Sequence, residues 1–402
     1  MNARTSEPAK SSPTLPMNEF ADLQPATHGA MHALPARPRR GLLRMVTIAF
    51  AALVALLLAL VLLLLTGLET GPVPLLIGLV LATLPAPIYV SLVLWIDRYE
   101  SEPVWTLVTA FIWGAVGAVF IAAFVNTIGS LIVASLISNE AGSFYGAVIS
   151  APIVEESMKA AVLFVLYFRK HEEFDGVIDG IVYASMVGLG FAMTENIQYY
   201  GSAALEGGIG GGAMLFVLRG MLAPFAHPLF TSMTGIGLGL ASQSKSGVVK
   251  FFAPAAGLLL AILLHALWNL SASINALLYF VVYFLIMVPM FVGVLVSIYF
   301  GLKREGRIVR EQLRRDLERG HLTHTELELL SSVRGRMGAS FTALKRGGYR
   351  SWRTRREFNR VASELAFHRN RVAQGQVNRD SAAVEEFYVR QLSELRGRFN
   401  IS

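Results

Sequence analysis

Eight long apolar stretches restrict what this chain can fold into. They lie at residues 42–68, 73–96, 104–126, 145–168, 176–198, 213–241, 249–270 and 275–302. A helix needs about 20 apolar residues, at ~1.5 Å each, to cross the ~30 Å hydrocarbon core of a bilayer. Every stretch reaches that length. The pattern therefore predicts an all-α polytopic membrane helix bundle with about eight transmembrane helices.

Charged residues are few, and they are concentrated at one end. Only 16% of the 402 residues are charged, compared with about 25% in soluble domains, which argues against an ordinary cytosolic enzyme. Residues 42–302 carry 8 Lys/Arg and 13 Asp/Glu, whereas residues 303–402 carry 22 and 12. We predict a disordered cytoplasmic N-terminus (1–41), a transmembrane domain (42–302) and a basic, mainly helical cytoplasmic C-terminal region (303–402). The chain has no cysteine, which excludes disulfides, thiolate metal sites and a cysteine nucleophile.

The basic residues of the short loops lie on one side of the predicted bundle. With eight spans both termini share a side, and that side also holds Arg98, Arg169, Lys170, Lys245 and Lys250. The opposite loops, 69–72, 127–144, 199–212 and 271–274, contain no Lys or Arg. Because cytoplasmic loops carry the excess of Lys and Arg, we expect both termini in the cytoplasm. We interpret the first stretch as a retained signal anchor, since its apolar run is too long for a cleaved signal peptide.

A short set of polar residues falls inside the apolar stretches. An ionisable group in hydrocarbon costs roughly 2.5–3.5 kcal/mol on insertion scales, so each is a functional candidate by default. The set comprises Glu155, Glu156, Lys159, Asp179, Glu195, Arg219, His227 and His265, accompanied by Asn196 and Asn269.

The fourth stretch carries the sequence EESMK at residues 155–159. Lys159 follows Glu155 by four residues and Glu156 by three, so all three can line one face of a helix. A purely structural ion pair would use one carboxylate and leave the other uncompensated. Two crowded carboxylates with one cation suit general acid–base work on a water molecule.

Two histidines on different stretches extend this polar set. In HALWN, His265 and Asn269 are four residues apart and face the same neighbour. His227 lies in the sixth stretch and Glu195 near the end of the fifth, where it could face either the site or the outer interface. We predict a common polar site built from these residues and the two glutamates.

Several known intramembrane chemistries lack their motifs in this chain. It contains no G-x-S-x-G, as expected for rhomboid-type serine catalysis, and no H-E-x-x-H for site-2-type zinc proteolysis. Presenilin-type catalysis needs two intramembrane aspartates, and Asp179 has no such partner. Hydrolysis by carboxylates and histidines remains, as does a transporter-like proton path.

Five motifs in order resemble the PrsW family of bacterial membrane proteases, within the wider group of CAAX endopeptidases and bacteriocin-processing proteins. They are DRYESEP (97–103), EESMK (155–159), DGIVYASMVGLGFAMTEN (179–196), AHPLFT (226–231) and HALWN (265–269). The resemblance covers about residues 73–302. It implies a multi-pass endopeptidase of the bacterial plasma membrane that cuts a single-span membrane protein such as an anti-sigma factor.

The resemblance also assigns the candidate catalytic residues. Glu155 and Glu156 match the glutamate pair of the family, and His227 matches a PrsW histidine. His265 and Asn269 match the H-x-x-x-N element. Glu195 matches a second motif that reads F-x-x-x-E here and F-x-x-x-H in CAAX endopeptidases.

Three hypotheses for this site stay open at the level of sequence. In the first, Glu155 or Glu156 deprotonates a water without any metal, while His227 assists and Asn269 with His265 stabilises the oxyanion. In the second, a divalent metal such as zinc is held by Glu155, Glu156, His227 and His265. In the third, the protein is a transporter or a lipid- or peptide-binding membrane protein in which the same groups relay protons.

The remaining expectations concern the cytoplasmic side and the position of the cut. Arginine clusters beside Trp352 suggest anionic lipid as the partner of the tail rather than a specific nucleic acid. We interpret Asp97, Glu100 and Glu102 as a hydrated turn that ends at Pro103. Because the site residues lie in the middle to outer part of their spans, we predict cleavage at or just beyond the extracytoplasmic end of the substrate's span.

Overall fold

The computed structural model describes residues 41–170, 174–375 and 380–400, and all regular secondary structure among them is helical. The predicted disordered N-terminus (1–41) lies outside this part of the chain except for Gly41, where α1 begins. In order, the first twelve α-helices described are α1 (Gly41–Thr70), α2 (Pro72–Thr83), α3 (Ala86–Ile96), α4 (Val104–Ile112), α5 (Val119–Leu136), α6 (Asn139–Phe144), α7 (Ala151–Arg169), α8 (Val177–Leu215), α9 (Ala226–Gln243), α10 (Gly247–Ile274), α11 (Ala276–Val282) and α12 (Val288–Gln312). Short π-helical segments lie at Trp113–Ala118, Tyr145–Ser150, Phe216–Leu222 and Tyr283–Met287.

Six segments of the described chain are long and apolar enough to cross a membrane. They are Met45–Thr70, Pro72–Ile96, Val104–Leu136, Val177–Gln243, Gly247–Ile274 and Ala276–Glu318. The predicted all-α polytopic bundle is thereby confirmed. The number differs from eight for two physical reasons. The fifth and sixth predicted spans fall in one long apolar segment, Val177–Gln243, and the fourth, although helical, carries the charged EESMK sequence.

Close contact between α8 and α9 brings the middle of the bundle together. Gly180 and Gly235 face each other so closely that a Cβ on either would lie 2.1 Å from the carbonyl oxygen of the other. A Cβ on Gly188 would lie 2.7 Å from the backbone nitrogen of Pro228. Small residues let membrane helices approach at this distance, so the glycines of the fifth apolar stretch place α9 directly on α8.

The sixth predicted span is not one continuous helix. The π-helical segment that begins at Phe216 ends at Leu222, and α9 starts only at Ala226. Tyrosine hydroxyls bind carbonyls just before the break: Tyr283 donates to Leu222 at 2.8 Å, and Tyr89 donates to Gly220. Irregular backbone at membrane depth requires such satisfied groups. His227 therefore lies in the first turn of a helix, not in the middle of one.

The C-terminal region is mainly helical, as the sequence predicts. Its helices are α13 (Arg314–Glu318), α14 (His324–Leu330), α15 (Val333–Ala373) and α16 (Ser381–Asn400). Leu313, Leu330 and Phe358 are fully buried, in a core that is continuous with that of the membrane helices. Arg369 holds the buried Asp316 with two guanidinium nitrogens. Some of the basic residues of the tail are thus structural and not available to an external partner.

Candidate active site

Four helices each supply part of one polar cluster. Glu155, Glu156 and Lys159 lie on α7, Glu195 on α8, His227 on α9 and His265 on α10. Counted along these helices, Glu155, Glu195, His227 and His265 lie 14 to 18 residues from Arg169, Val177, Gln243 and Gly247, the helix ends on one side of the bundle. At about 1.5 Å per residue this is about 21–27 Å. The cluster therefore lies at one depth, well away from that side.

Glu156 is the most fully bonded member of the cluster. Its Oε1 accepts hydrogen bonds from Lys159 Nζ at 2.8 Å and from His265 Nδ1 at 3.0 Å. Its Oε2 accepts a hydrogen bond from Thr231 Oγ1 at 3.0 Å. The side chain is buried. Both oxygens of Glu156 are thus engaged in orienting other groups.

Lys159 lies between the two glutamates and His227. The residue is 0% exposed. Its Nζ donates to His227 Nδ1 at 3.0 Å and lies 3.5 Å from Glu155 Oε2. It also lies 3.7 Å from the ring centroid of Phe191, a cation–π contact. The single ammonium of Lys159 therefore contacts both carboxylates. A simple ion pair, as considered from the sequence, would have left one of them uncompensated.

Glu195 belongs to the same cluster. Its Oε2 accepts hydrogen bonds from His227 Nε2 at 2.7 Å and from Arg219 at 2.8 Å. Arg219 also donates to Asn196 Oδ1 at 3.0 Å and stacks over Tyr199. Because α8 continues to Leu215, Glu195 lies well inside its helix rather than at an outer end. Of the two orientations considered from the sequence, the structure has Glu195 facing the site and not the outer interface.

Glu155, His227 and His265 form a possible metal-binding group. Each offers one ligand atom, and these atoms all lie within 4.8 Å of one another in buried surroundings. The donor set, two imidazoles and one carboxylate, is that of catalytic zinc sites. Glu156 approaches His265 from Nδ1, while His265 Nε2 faces Glu155 Oε2 at 3.9 Å. The chemistry of these residues fits a divalent metal.

Asn269 does not join the cluster in this structure. Its Nδ2 donates to the carbonyl oxygen of Ala147 at 2.8 Å. Ala147 belongs to the π-helical segment just before α7. The side chain therefore ties α10 to the segment that leads into the glutamate pair.

The acidic turn before α4 is packed, not hydrated. Asp97 and Glu102 are both buried. The backbone N–H of Glu102 donates to Asp97 Oδ2 at 2.9 Å, and Tyr183 donates to Glu102 Oε2 at 2.5 Å. Burial raises the pKa of Asp97 to about 7, although the bond from Glu102 acts in the opposite direction. The interpretation of a hydrated turn is wrong, because the C-terminal region covers it: Arg336 donates to the carbonyl of Arg98 at 3.1 Å.

Two contributors were not among the predicted site residues. Thr231 follows His227 by four residues, which places both on one face of α9, and that spacing could have identified it. Arg219 was noted as an intramembrane charge but not assigned to the site. Arg219 lies on a π-helical segment that is separated from His227 by the interruption of the helix, so no residue spacing in the sequence predicts that the two side chains meet at Glu195.

Comparisons with known proteins identify relatives of this chain. The model of one protein family, described as PrsW family intramembrane metalloprotease, matches residues 102–294. Protease PrsW of Oceanobacillus iheyensis is 34% identical over 170 residues, which cover 42% of this chain and 71% of that protein. Protease PrsW of Geobacillus kaustophilus is 33% identical over a region that covers 36% of this chain and 58% of that protein. Protease PrsW of Bacillus subtilis is 33% identical over a region that covers 37% of this chain and 61% of that protein. No solved structure matches the chain.

Proposed function

The chain belongs to the PrsW family of intramembrane metalloproteases, and from that premise we propose that its four-helix polar cluster hydrolyses a peptide bond of another membrane protein. A multi-pass membrane peptidase needs water, a proton acceptor and a polarising group inside the bilayer. The observation that carries the proposal is the buried convergence of Glu155, His227 and His265 within 4.8 Å.

In this proposal those three residues hold a divalent metal, with zinc the ion that the donor set suits best. Polarisation of the scissile carbonyl is the chemistry that such an ion supplies when bound. Glu156 accepts from His265 Nδ1 and Glu195 accepts from His227 Nε2, at 3.0 and 2.7 Å. Carboxylates placed in this way fix the tautomer and the ring orientation of ligand histidines. The nitrogens left for the ion are His265 Nε2 and His227 Nδ1.

The other residues of the cluster position these groups. Thr231 and Lys159 hold the two oxygens of Glu156, so the carboxylate cannot rotate away from His265. Arg219 fixes Glu195 in the same manner. Among the described residues, Glu155 makes only the longer contacts of 3.5 and 3.9 Å. This supports Glu155, rather than Glu156, as the carboxylate that binds the metal ion or accepts a proton from water.

A metal-free version of the same hydrolysis is the second candidate, and one observation favours it. Lys159 Nζ donates to His227 Nδ1 at 3.0 Å, the nitrogen that a metal would need. In that version Glu155 accepts the proton of the attacking water. Lys159 then balances the charge that develops.

The proposed substrate is a single-span membrane protein of the bacterial plasma membrane, with an anti-sigma factor as the type that the resemblance implies. The proposed orientation has both termini in the cytoplasm, which the distribution of Lys and Arg among the loops supports. The cluster then lies about 21–27 Å from the cytoplasmic helix ends. That depth supports a cut near the outer end of the substrate's span.

The test uses the purified full-length protein, reconstituted in vesicles with a single-span anti-sigma factor. We expect Glu155→Gln to lower the cleavage rate by about 10³-fold or more, the loss typical of a central catalytic group. Glu206→Gln is the matched control, because Glu206 is exposed on the same protein and should leave the rate unchanged. New termini of the product, mapped by mass spectrometry, give the side of the cut.

Metal analysis separates the two versions. Stoichiometric zinc that is lost in His265→Ala, with activity abolished by a strong chelator, supports the metal centre. Full activity in chelator supports the metal-free version. Cleavage by Glu155→Gln at the wild-type rate contradicts both.

A further inference from the structure

One part of the C-terminal region is basic without a single acidic residue. Residues 329–356 contain eight Lys/Arg and no Asp or Glu. Two of the eight, Arg336 and Arg355, are buried. The other six are exposed: Arg334, Lys345, Arg346, Arg350, Arg353 and Arg356. The surface of this segment therefore has a dense, one-signed charge.

The same segment exposes an apolar strip. Met337, Phe341 and Leu344 are spaced by four and three residues and are 49%, 57% and 40% exposed. This spacing puts them on one face of α15. Gly348, with φ +65°, then bends the helix, and Tyr349 beyond the bend is 68% exposed. We call residues 333–356 the basic hairpin.

The start of the basic hairpin is fixed near the ends of two apolar helices. Arg336, one residue before the apolar strip, donates to the carbonyl of Arg98 and lies 4.2 Å from the ring centroid of Tyr99. Arg98 follows the end of α3 by two residues, and α4 begins at Val104. Met337 is thus placed next to the turn that joins these two apolar helices.

We propose that the basic hairpin lies on the cytoplasmic leaflet of the same membrane, with its apolar strip in the acyl boundary and its exposed Lys and Arg on anionic headgroups. Helices with an apolar face and a Lys/Arg-rich polar face bind membrane surfaces in this way. Clusters of four to eight basic residues next to a membrane span bind anionic lipids. The occupant of the apolar strip is therefore an anionic phospholipid bilayer.

Charge complementarity distinguishes this occupant from two others. A second copy of the hairpin would bring six exposed cations against six like charges, which opposes close contact. A nucleic acid would neutralise the charge but would leave Met337, Phe341 and Leu344 in water. An anionic bilayer satisfies both features together.

The chain contains no cysteine, so single labelling sites can be introduced into the full-length protein. Phe341→Cys carries a small polarity-sensitive fluorophore in the test. Phe387→Cys is the matched control, because Phe387 is also an exposed phenylalanine of the tail but follows Glu385 and Glu386. Both variants are reconstituted in vesicles of phosphatidylcholine alone or mixed with phosphatidylglycerol, with brominated phosphatidylcholine as the quencher.

We expect brominated lipid to quench the label at 341 at least about twofold more than the label at 387 when phosphatidylglycerol is present. High salt should reduce the difference, because a short Debye length screens surface charges. Replacing Lys345 and Arg346 together by Glu should lower the equilibrium constant for binding of the basic hairpin to the membrane surface by at least about 25-fold. Each basic residue near an anionic surface contributes about fivefold to that constant.

Equal, weak quenching at both positions in both lipids overturns the proposal. So does shielding of the label at 341 that increases with the ratio of protein to lipid, since that result identifies a second copy as the occupant. Shielding that requires added nucleic acid likewise overturns it. Proteolytic activity is measured in parallel, and its retention in the Glu variants shows that the membrane domain is folded.

Discussion

Substituting Gly188 by alanine tests whether the packing of α8 against α9 sets the geometry of the site. The added Cβ would lie 2.7 Å from the nitrogen of Pro228 and 2.8 Å from the carbonyl carbon of His227. Non-bonded carbon atoms are optimally separated by about 3.5–4.0 Å, so the start of α9 must move by about 0.7–1 Å. The neighbouring atoms are backbone, so no side-chain rotation can relieve the contact.

This displacement acts directly on His227. Its ring is held at 2.7 Å from Glu195 and 3.0 Å from Lys159, and a shift of that size breaks at least one of these bonds. Overpacking a well-packed interior costs about 1–3 kcal/mol, which a folded bundle tolerates. A misplacement of about 1 Å at a reacting group costs about 10²-fold in rate. We expect Gly188→Ala to fold and to cleave about 10- to 100-fold more slowly.

The assay measures the rate at which the single-span substrate is cleaved in vesicles. The thermal unfolding midpoint of each variant shows that it is folded at the assay temperature. Gly201→Ala is the control on the same helix, because its Cβ would meet Pro74 at an ordinary 3.5 Å. That variant should retain the wild-type rate and gain up to about 1 kcal/mol from helix propensity. A Gly188→Ala protein that cleaves like the wild type would refute the link between this contact and the position of His227.

Three further outcomes follow from the structure. Because the folded pKa of Asp97 is about 7, above its unfolded value of about 3.9, its contribution is full below about pH 4 and is lost progressively as the pH rises to about 7. Asp97→Asn should therefore remove up to about 4 kcal/mol of this pH dependence, seen as a flatter unfolding midpoint between about pH 4 and about pH 7. Thr231→Val should lower kcat with little change in KM, because the 3.0 Å bond to Glu156 is lost, and Thr231→Ser should restore it; equal kcat in the Val variant would contradict a positioning role. Tyr183→Phe should cost about 1–3 kcal/mol by leaving Glu102 without its 2.5 Å donor, measured by thermal unfolding, whereas an unchanged midpoint would show that another group replaces the hydroxyl.

Residue spacing within one helix predicted much of the site. The i, i+3 and i, i+4 relations placed Lys159 against both Glu155 and Glu156, and these contacts are present at 3.5 and 2.8 Å. The cost of burying charge in lipid singled out His227 and His265 as partners. These inferences worked because helical periodicity and bilayer energetics act locally.

Features that depend on tertiary structure were not predictable in this way. The interruption of the helix at residues 223–225 is stabilised by the hydroxyls of Tyr89 and Tyr283, which lie more than fifty residues away in either direction along the sequence. Asn269 shares a helical face with His265, yet its amide bonds Ala147 on another segment. The burial of Asp97 depends on the C-terminal region, which no local pattern places there.

The short-range pairing within α7 has a consequence for how the protein is made. Glu155 is synthesised 110 residues before His265, a delay of about 6–22 s at ribosomal rates of about 5–20 residues per second. Throughout that interval α7 must reside in the bilayer without His265, the histidine that will contact its carboxylates. Lys159, on the same helix at 2.8 Å from Glu156, supplies a counter-charge from the moment the helix forms. The nascent chain can therefore insert its most polar span early, and the proposed role of His265 predicts that it cannot cut neighbouring membrane proteins until α10 has been delivered.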